Sequence, residues 1–295
     1  MKKAAWFIGV IIAAVTAVSV ILYKIFLKTD VCKFPSKNAI DERKWLKTIT
    51  HKECYITSYD KLILHGYYVT QKSDNWVIIC HGYDSEAQNM ACYAEKFYEM
   101  GYNVLLPDQR GYGLSEGSKT TMGVKEQDDI RKWIDKLNTE FVPKKIVLFG
   151  VSMGAATVML AAGNKLPRNV AAIIEDCGYT SVYDEFRYNL KRMFHLPSFP
   201  FLNIIDLITR FKDGWSLKNY GSCIKAVKKA EVKILFIHGS SDDFVPFYMH
   251  DELFYAAECE KEKIVIYGAK HAESHIVNPE LYWNTILRFI CDVNE

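Results

Sequence analysis

Short apolar runs alternate with amphipathic segments along most of the chain beyond residue 50. Eight runs have the length and the β-branched or aromatic content of strands, and they cover residues 53–58, 62–69, 76–80, 102–106, 146–149, 170–175, 232–237 and 263–267. The first two, separated by a Tyr-Asp-Lys turn, predict an antiparallel pair. Helical patterns lie between most of the others, most clearly in residues 123–138, where apolar residues recur at i, i+3, i+4 and i+7 from Ile130. This alternation predicts an α/β fold with an eight-stranded, mostly parallel sheet and helices on both faces.

The amino terminus carries a different pattern. Lys2 and Lys3 are followed by twenty residues without a charge, 4–23. A helix of that length, with a rise of about 1.5 Å per residue, spans the roughly 30 Å hydrocarbon core of a membrane. A cleaved signal peptide is the alternative, but its apolar region is usually about 7 to 15 residues long and ends at a small-residue site. Because the apolar run continues directly into Lys24, we expect an uncleaved, single-pass anchor in the cell membrane.

The charge pattern leaves the orientation of this anchor open. Two lysines precede the span, and four follow it: Lys24, Lys28, Lys33 and Lys37. The distribution of positive charge is therefore ambiguous, or favours a cytoplasmic position for the rest of the chain. The eight cysteines contain no Cys-x-x-Cys pair, which favours a reducing environment, either the cytoplasm or the exterior of a cell in an anoxic habitat.

Composition sets limits on the function. Of 295 residues, 49% are hydrophobic and 24% are charged, which is enough for a large core. The net charge is +2 and basic residues are scattered, so no nucleic-acid partner is expected. No group of His, Asp and Glu has the spacing of metal ligands, so we expect neither a metal nor another cofactor.

A Gly-x-Ser-x-Gly pattern centred on Ser152 follows the fifth predicted strand and precedes a helical run, 155–162. A strand, a sharp turn and a helix form a nucleophile elbow. The turn holds its serine in a sparsely allowed backbone conformation, so the residues two before and two after it must be small. Gly150 and Gly154 meet that need. A helix-capping serine is the alternative, but the strand and both glycines favour a nucleophile.

The same pattern occurs a second time, around Ser115 between Gly113 and Gly117. No strand directly precedes Ser115 and no helix directly follows it. We therefore interpret Ser115 as a loop serine.

An acid and a base follow Ser152 in the order Ser, Asp, His. Asp242 follows the seventh predicted strand and His271 follows the eighth. Alternatives stay open for both roles: Asp243, Glu175 or Asp176 for the acid, and His275 for the base. The carboxyl ends of parallel strands lie at one edge of a sheet, where such folds place their sites.

Four motifs in this order carry a family resemblance. They are Cys-His81-Gly-Tyr after the third strand, Pro107-Asp-Gln-Arg-Gly-Tyr-Gly-Leu-Ser after the fourth, the Ser152 elbow, and the paired Asp242 and His271 segments. The chain resembles the α/β-hydrolase superfamily, in its bacterial branch with an amino-terminal membrane helix, over roughly residues 50–292. Together with the apolar run at the amino terminus, the resemblance predicts an anchor over 1–28, a linker over 29–50 and a catalytic domain over 51–295.

The resemblance also implies a mechanism. Ser152 is the expected nucleophile, His271 the base and Asp242 the acid; the register His-Gly-x-x-Asp-x-x-Val-Pro fits only Asp242. The backbone N–H groups of Tyr83 and Met153 are the expected oxyanion donors. Gly82 lets the backbone turn close to the substrate, and His81 is expected to be a structural residue.

Between the sixth and seventh strands, residues 178–229 exceed an ordinary connection, and we expect a helical cap. Its helical patterns cover residues 182–192 and 202–212, and its aromatic residues either line a pocket or fasten the cap to the core. The apolar stretch 194–201 is alternatively a membrane contact.

Three functions follow. The first is hydrolysis of a carboxylic ester with a small acyl or lipid-like group. The second is a serine aminopeptidase-like peptidase, which needs charged residues that face the serine from the cap. The third is a membrane-tethered binding protein without catalysis, which an incomplete triad would favour.

Overall fold

The computed structural model describes residues 2–28 and 43–291. The predicted linker therefore lies outside the described residues over 29–42, and so does Cys32. Residues Lys44–Thr48 of the remaining linker form a short helix, whose Leu46 is buried in the core.

One sheet of eight strands organises the described residues. The strands are β1 (Lys52–Thr57), β2 (Ile63–Val69), β3 (Asn75–Cys80), β4 (Asn103–Pro107), β5 (Lys145–Val151), β6 (Val170–Asp176), β7 (Lys233–Gly239) and β8 (Lys261–Ile266). Their order across the sheet is β1-β2-β4-β3-β5-β6-β7-β8. β2 runs antiparallel to both β1 and β4, and the pairs from β4 to β8 are parallel. The mostly parallel α/β sheet is confirmed, with each strand within two residues of its predicted bounds.

Helices cover both faces of the sheet. They are α1 (Lys2–Leu27), α2 (Lys44–Thr48), α3 (Ala91–Glu99), α4 (Glu126–Glu140), α5 (Met153–Ala162), α6 (Val182–Phe194), α7 (Phe201–Ile208), α8 (Cys223–Val227), α9 (Tyr248–Ala256), α10 (Ser274–Val277) and α11 (Pro279–Cys291). A 3₁₀ turn, Ala87–Met90, precedes α3, and a π-helical turn, Thr209–Asp213, continues α7. The strands β5 and β7, each paired on both sides, are buried along their whole length, as expected for parallel strands covered on both faces.

The segment between β6 and β7 contains α6, α7 and α8. α6 begins at an N-cap, Ser181, whose hydroxyl accepts a hydrogen bond from the N–H of Asp184 at 3.0 Å. We call residues 178–229 the cap.

α1 is long and apolar enough over Trp6–Leu27 to cross a membrane, which makes it a candidate anchor or signal sequence. Side chains near its start are exposed, such as Trp6 at 72%. Near its end the helix packs against α7, and Leu22, Tyr23 and Leu27 are buried.

Candidate active site

Ser152 lies on a sharp turn between the end of β5 and the start of α5. Its backbone has φ 56° and ψ −115°, a conformation that costs a non-glycine residue of order 1–3 kcal/mol. The strand and helix on either side hold the residue there, so the serine side chain projects at the carboxyl end of the sheet.

The two glycines around Ser152 permit a close approach of the backbone. A Cβ added to Gly150 would lie 2.2 Å from the carbonyl oxygen of Gly154, and one added to Gly154 would lie 2.0 Å from that of Cys80. No side chain fits at either position without moving β3 or α5. Both positions therefore require glycine in this structure.

Three side chains from three turns meet at this edge of the sheet. The Ser152 hydroxyl lies 2.9 Å from Nε2 of His271, and Nδ1 of His271 lies 2.7 Å from Oδ2 of Asp242. With the proton on Nδ1, the imidazole donates to the carboxylate and accepts from the serine. This arrangement can remove the serine proton and stabilise the resulting imidazolium.

Asp242 is held by several donors. Its Oδ1 accepts the backbone N–H groups of Phe244 and Val245, each at 2.9 Å. Nε2 of His238 lies 3.3 Å from Oδ2. Burial raises the pKa of Asp242, but the hydrogen bonds to His238 and His271 outweigh burial and hold that pKa below its usual range. The side chain is therefore a carboxylate at neutral pH.

The backbone after β3 passes close to Ser152. A Cβ on Gly82 would lie 3.4 Å from Cβ of Ser152, and Tyr83 follows directly. Met153 is the first residue of α5, where backbone N–H groups have no partner within the helix.

His81 is completely buried beside this backbone. Its Nδ1 donates to the carbonyl of Gly82 at 2.8 Å, and its Nε2 accepts the N–H of Gln109 at 2.9 Å. Burial lowers the pKa of His81. The neutral ring fastens the loop that leads to Tyr83.

The alternative acids and base have other partners. Asp243 is exposed and forms an ion pair with Arg192. Asp176 accepts the Tyr282 hydroxyl at 2.8 Å, and burial raises the pKa of its carboxyl to about 6. Glu175 accepts the N–H of Gly178.

His275, the alternative base, lies 2.8 Å from the Tyr93 hydroxyl, and burial lowers the pKa of the ring to about 4. Among the described residues, none of these four side chains is hydrogen-bonded to the side chain of His271 or Ser152; Asp176 meets Ser152 only through the backbone, where its carbonyl accepts the Ser152 N–H at 2.8 Å.

Ser115 lies in the loop between β4 and α4. Its hydroxyl donates to the carbonyl of Asp108 at 2.6 Å and accepts the N–H of His65 at 2.9 Å. These bonds fix the loop to β2, and they give the hydroxyl a structural task.

Among the described residues, one group has the geometry of possible metal ligands: Cys177, Asp242 and His271, whose ligand atoms lie within 4.8 Å of one another. The Nδ1 atom of His271 is already hydrogen-bonded to Asp242. A metal ion at this place would compete with that hydrogen bond.

A cavity of about 380 Å³ opens above Ser152 and His271, within the range of pockets that hold small organic ligands. Most of its walls are apolar or aromatic. They are formed by Ile25, Phe26, Tyr83, Met122, Tyr179, Phe186, Met193 and Phe244, with the polar Asp84, Glu185 and Asn189. Of the aromatic residues in the cap, Tyr179 and Phe186 line the cavity, whereas Phe199 and Phe211 are exposed at 71% and 84%.

Glu185 is the buried acid of this pocket. Its Oε1 accepts the side-chain N–H of Asn189 at 2.6 Å, and its Oε2 has no hydrogen-bond partner in the structure. Burial raises the pKa of Glu185 well above its usual range. Burial therefore favours the uncharged form of this carboxyl group.

Sequence reasoning missed Ile25 and Phe26 as pocket residues because both lie within residues 1–28, the segment assigned to a membrane anchor. Phe26 stacks on Phe186 with ring centroids 4.6 Å apart. Their separation along the chain leaves no local signal; the only hint is that the run continues beyond residue 23 into Ile25-Phe26-Leu27.

Comparisons with known proteins agree with this geometry. A family model described as serine aminopeptidase, S33, matches residues 71–195. YqkD of Bacillus subtilis (strain 168) is 29% identical, with 100% of this chain and 99% of that protein aligned. The α/β-hydrolase domain-containing protein WAV2 of Arabidopsis thaliana is 24% identical, with 82% of this chain and 79% of that protein aligned.

Solved structures support the fold. The esterase Pf2001 of Pyrococcus furiosus superimposes with a TM-score of 0.70 at 24% identity, over 83% of this chain and 92% of that one. A thermophilic esterase from Thermogutta terrifontis does so with a TM-score of 0.57 at 17% identity, over 83% and 100%. The shared sheet, the elbow and the family match over residues 71–195 agree: this chain has the α/β-hydrolase fold, and the comparisons support a hydrolase of the serine type.

Proposed function

We propose that the protein is a membrane-anchored carboxylic ester hydrolase that acts through an acyl-enzyme. The observation that carries this proposal is a chain of two hydrogen bonds, from Asp242 to Nδ1 of His271 at 2.7 Å and from Nε2 of His271 to the Ser152 hydroxyl at 2.9 Å. Ser152 faces an apolar pocket. A nucleophile, a base and an orienting acid in hydrogen-bond reach are the parts that acyl transfer needs.

The first half-reaction acylates Ser152. Its Oγ attacks the ester carbonyl carbon while Nε2 of His271 accepts the hydroxyl proton. The tetrahedral intermediate then expels the alcohol, which takes that proton from His271. In the second half-reaction, water attacks the acyl carbon and gives a proton to His271, and Ser152 leaves with it. The net reaction converts an ester and water into an acid and an alcohol.

The negative oxygen of each tetrahedral intermediate needs donors that are already in position. We assign the backbone N–H groups of Tyr83 and Met153 to this role, because Gly82 brings the first close to Ser152 and the start of α5 supplies the second. Loss of one such donor typically costs about 3 to 4 kcal/mol of transition-state stabilisation.

The pocket favours an apolar acyl group. Phe186, Phe26 and Phe244 form aromatic walls, and burial favours the uncharged form of Glu185 beside them. Apolar surface buried there contributes about 25 cal/mol per Å² to binding. A small acyl or lipid-like ester therefore fits better than a charged substrate.

We further propose that α1 anchors the hydrolase domain, residues 51–295, to the cell membrane. The helix has the length and composition for it. The exposed apolar side chains near its amino-terminal end need a lipid environment or another apolar cover.

Labelling with a fluorophosphonate ester probe tests the ester hydrolase. We expect the full-length protein in detergent micelles to be labelled and to hydrolyse p-nitrophenyl butyrate. Ser152→Ala should abolish both, and the matched variant Ser115→Ala should retain both. A folded wild-type protein that neither labels nor hydrolyses the ester contradicts the proposal and favours a binding protein.

One observation favours a second candidate, an aminopeptidase: Glu185 faces the pocket from the cap with one unpartnered oxygen. A substrate ammonium group at this place would ionise Glu185 and pair with it. Turnover of aminoacyl p-nitroanilides, lost in Glu185→Gln while fluorophosphonate labelling persists, supports the peptidase. Glu185→Gln with unchanged ester hydrolysis and no amide hydrolysis by the wild type supports the esterase.

A further inference from the structure

The carboxyl-terminal end of α1 is part of the protein body. We call residues 19–27 the docked segment. Ser19, Leu22, Tyr23 and Leu27 are no more than 2% exposed, whereas Phe7, nearer the start of the same helix, is 61% exposed. A helix that only tethered the domain would not need to bury one face over two turns.

The docked segment is fixed to the cap. Phe26 stacks on Phe186 at 4.6 Å and meets Phe194 edge-on at 6.1 Å. The Tyr23 hydroxyl donates to Asp213 at 2.7 Å. These contacts join α1 to α6 and to the π-helical turn that follows α7.

The last carbonyl groups of α1 are bound by the loops around Ser152. The Tyr83 hydroxyl donates to the carbonyl of Ile25 at 2.8 Å, and the N–H of Thr120 donates to that of Leu27 at 3.0 Å. The Thr120 hydroxyl also lies 3.1 Å from the sulfur of Met153. Carbonyls at the end of a helix lack partners within it, and here the residues of the proposed oxyanion site and their neighbours supply those partners.

The position of the docked segment also fixes where a bilayer would lie. The uncharged run of α1, residues 4–23, is about 30 Å long and matches the hydrocarbon core only if its whole length is used. Ser19, Leu22 and Tyr23 belong to this run and touch the body. A spanning α1 therefore brings the cap down to the lipid. Elements beside α1 carry exposed apolar side chains: Met193, Phe199, Leu207 and Phe211.

The pocket wall lacks positive charge. Ile25 and Phe26 line the same cavity as Ser152, and none of its lining residues in the described part of the chain is Lys or Arg. An anionic headgroup beside the scissile bond would find no cation there. An uncharged ester group with a long acyl chain suits this wall.

We propose that the docked segment is the acyl-binding wall of the active site, and that the substrate is an uncharged long-chain ester dissolved in the bilayer, whose chain reaches Ser152 along α1. This inference rests on the proposed ester hydrolase. It makes Phe26 a specificity-determining residue and makes the helix a part of the enzyme as well as its anchor.

Chain-length profiles of the full-length protein in phosphatidylcholine vesicles test the wall. The substrates are p-nitrophenyl butyrate and p-nitrophenyl dodecanoate, and the variants are Phe26→Ala, Phe26→Trp and the matched control Phe7→Ala. We expect Phe26→Ala to raise KM for the dodecanoate about tenfold while that for the butyrate changes less than about twofold, because the ring contacts the longer chain only. Phe26→Trp, which adds volume, should also disfavour the longer ester, and Phe7→Ala should match the wild type.

The outcomes separate the inference from the proposed function. A wild type without ester turnover or labelling defeats the proposed function itself. If the wild type is active but Phe26→Ala and Phe26→Trp keep the wild-type ratio between the two esters, the acyl wall is overturned. Equal losses of activity on both esters, together with lost labelling, also overturn the acyl wall, because a purely structural role of Phe26 gives that result.

The route is tested by placing the dodecanoate ester either in the vesicles that carry the enzyme or in separate vesicles of the same composition. Entry along α1 predicts the full rate at once in the first mixture and a lag in the second, while the ester transfers between vesicles. Equal rates without a lag in both mixtures mean that the ester arrives through water, and they overturn entry along α1.

Discussion

The floor and the roof of the pocket are built in different ways. We call the turns that carry Ser152, Asp242 and His271 the floor, and α6 with the docked segment of α1 the roof. The floor is held by backbone geometry and hydrogen bonds, such as the two N–H groups that fix Asp242. The roof is held by packed rings, such as Phe26 on Phe186.

This difference assigns separate tasks to the two regions. Reacting atoms need positions fixed to a few tenths of an ångström, which short hydrogen bonds and a strained turn provide. An acyl chain needs an apolar surface of suitable shape. Apolar side chains of similar volume can replace one another and still provide such a surface. We therefore expect floor variants to lower kcat by orders of magnitude and roof variants to change KM and chain-length preference by about tenfold or less.

The largest effect is expected from Ser152→Ala. Without a nucleophile, kcat for p-nitrophenyl butyrate should fall by about 10⁴-fold or more, and His271→Ala should do nearly the same. The midpoint of thermal unfolding should stay near that of the wild type, because the small side chain leaves the elbow backbone unchanged. A Ser152→Ala protein with more than a tenth of the wild-type kcat would remove Ser152 from the chemistry.

The next effect comes from Asp242→Asn, where we expect kcat to fall about 10³- to 10⁴-fold. The amide would turn its NH₂ group towards His271, because Oδ1 still accepts two backbone N–H groups. The ring would then carry its proton on Nε2, facing Ser152, and lose its capacity as a base.

The neighbouring Asp243→Asn is the matched control for that change. Asp243 is exposed and pairs with Arg192, so its kcat should stay within about twofold of the wild type. Equal losses in both variants would show that the acid is not assigned to the right residue.

The turns of the floor lie where the sequence places them, because a short stretch of chain encodes each strand and the turn that follows it. The apolar runs gave the eight strands within two residues, and both glycines of the elbow follow from the space that the turn requires. The spacing from strand to Asp242 or His271 is short, so few conformations connect them. From the sequence, Asp242 is preferred over the neighbouring acids only because it fits the motif His-Gly-x-x-Asp-x-x-Val-Pro. The hydrogen bond between Asp242 and His271 agrees with that choice.

For the roof, the sequence predicts only that a segment is too long for an ordinary connection. Residues 178–229 indicate a cap by their number, but which aromatic rings face Ser152 depends on how α6 and α7 pack. Phe26 reaches Phe186 across about 160 positions of sequence, and no periodicity encodes such a pairing. An apolar run long enough for a membrane also satisfies the needs of a buried helix end, so hydropathy alone does not separate the two uses.

Tyr83→Phe tests the joint between floor and roof. The change keeps the ring and the backbone N–H but removes the hydrogen bond to the carbonyl of Ile25. Such a bond contributes about 1 kcal/mol, so we expect kcat to fall about fivefold as the loop loses its restraint. Tyr267→Phe, at a residue that is 84% exposed, is the control. An unchanged kcat in Tyr83→Phe would show that the hydrogen bond between Tyr83 and α1 does not affect catalysis.

A smaller, pH-dependent effect is expected at Glu185. Burial raises the pKa of its carboxyl well above the usual range, so the neutral form stabilises the fold below the ordinary pKa, and this contribution is lost as pH rises through the raised pKa. The carboxylate that forms then opposes binding of an apolar chain. KM for p-nitrophenyl dodecanoate should rise about threefold towards alkaline pH in the wild type and stay flat in Glu185→Gln.

The exposed Glu252→Gln is the control for Glu185 and should follow the wild-type pH profile. An alkaline rise of KM that persists in Glu185→Gln would assign the titration to another group. That result would also leave no support for an uncharged Glu185 in the roof.

The smallest effect on activity is expected from Ser115→Ala. Ser115 lies in a second Gly-x-Ser-x-Gly pattern, like the serine of the elbow. Its hydroxyl binds the carbonyl of Asp108 and the N–H of His65, so its loss leaves two buried groups short of a partner and should lower the free energy of unfolding by about 1 to 3 kcal/mol. Urea unfolding measures that loss, while kcat/KM for p-nitrophenyl butyrate should stay within about twofold of the wild type. Lost fluorophosphonate labelling in a folded Ser115→Ala protein would give the loop serine a part in the chemistry. The expected result is the reverse of that for Ser152→Ala, because one serine stands on a strained turn beside His271 and the other is bonded to the backbone of its own loop.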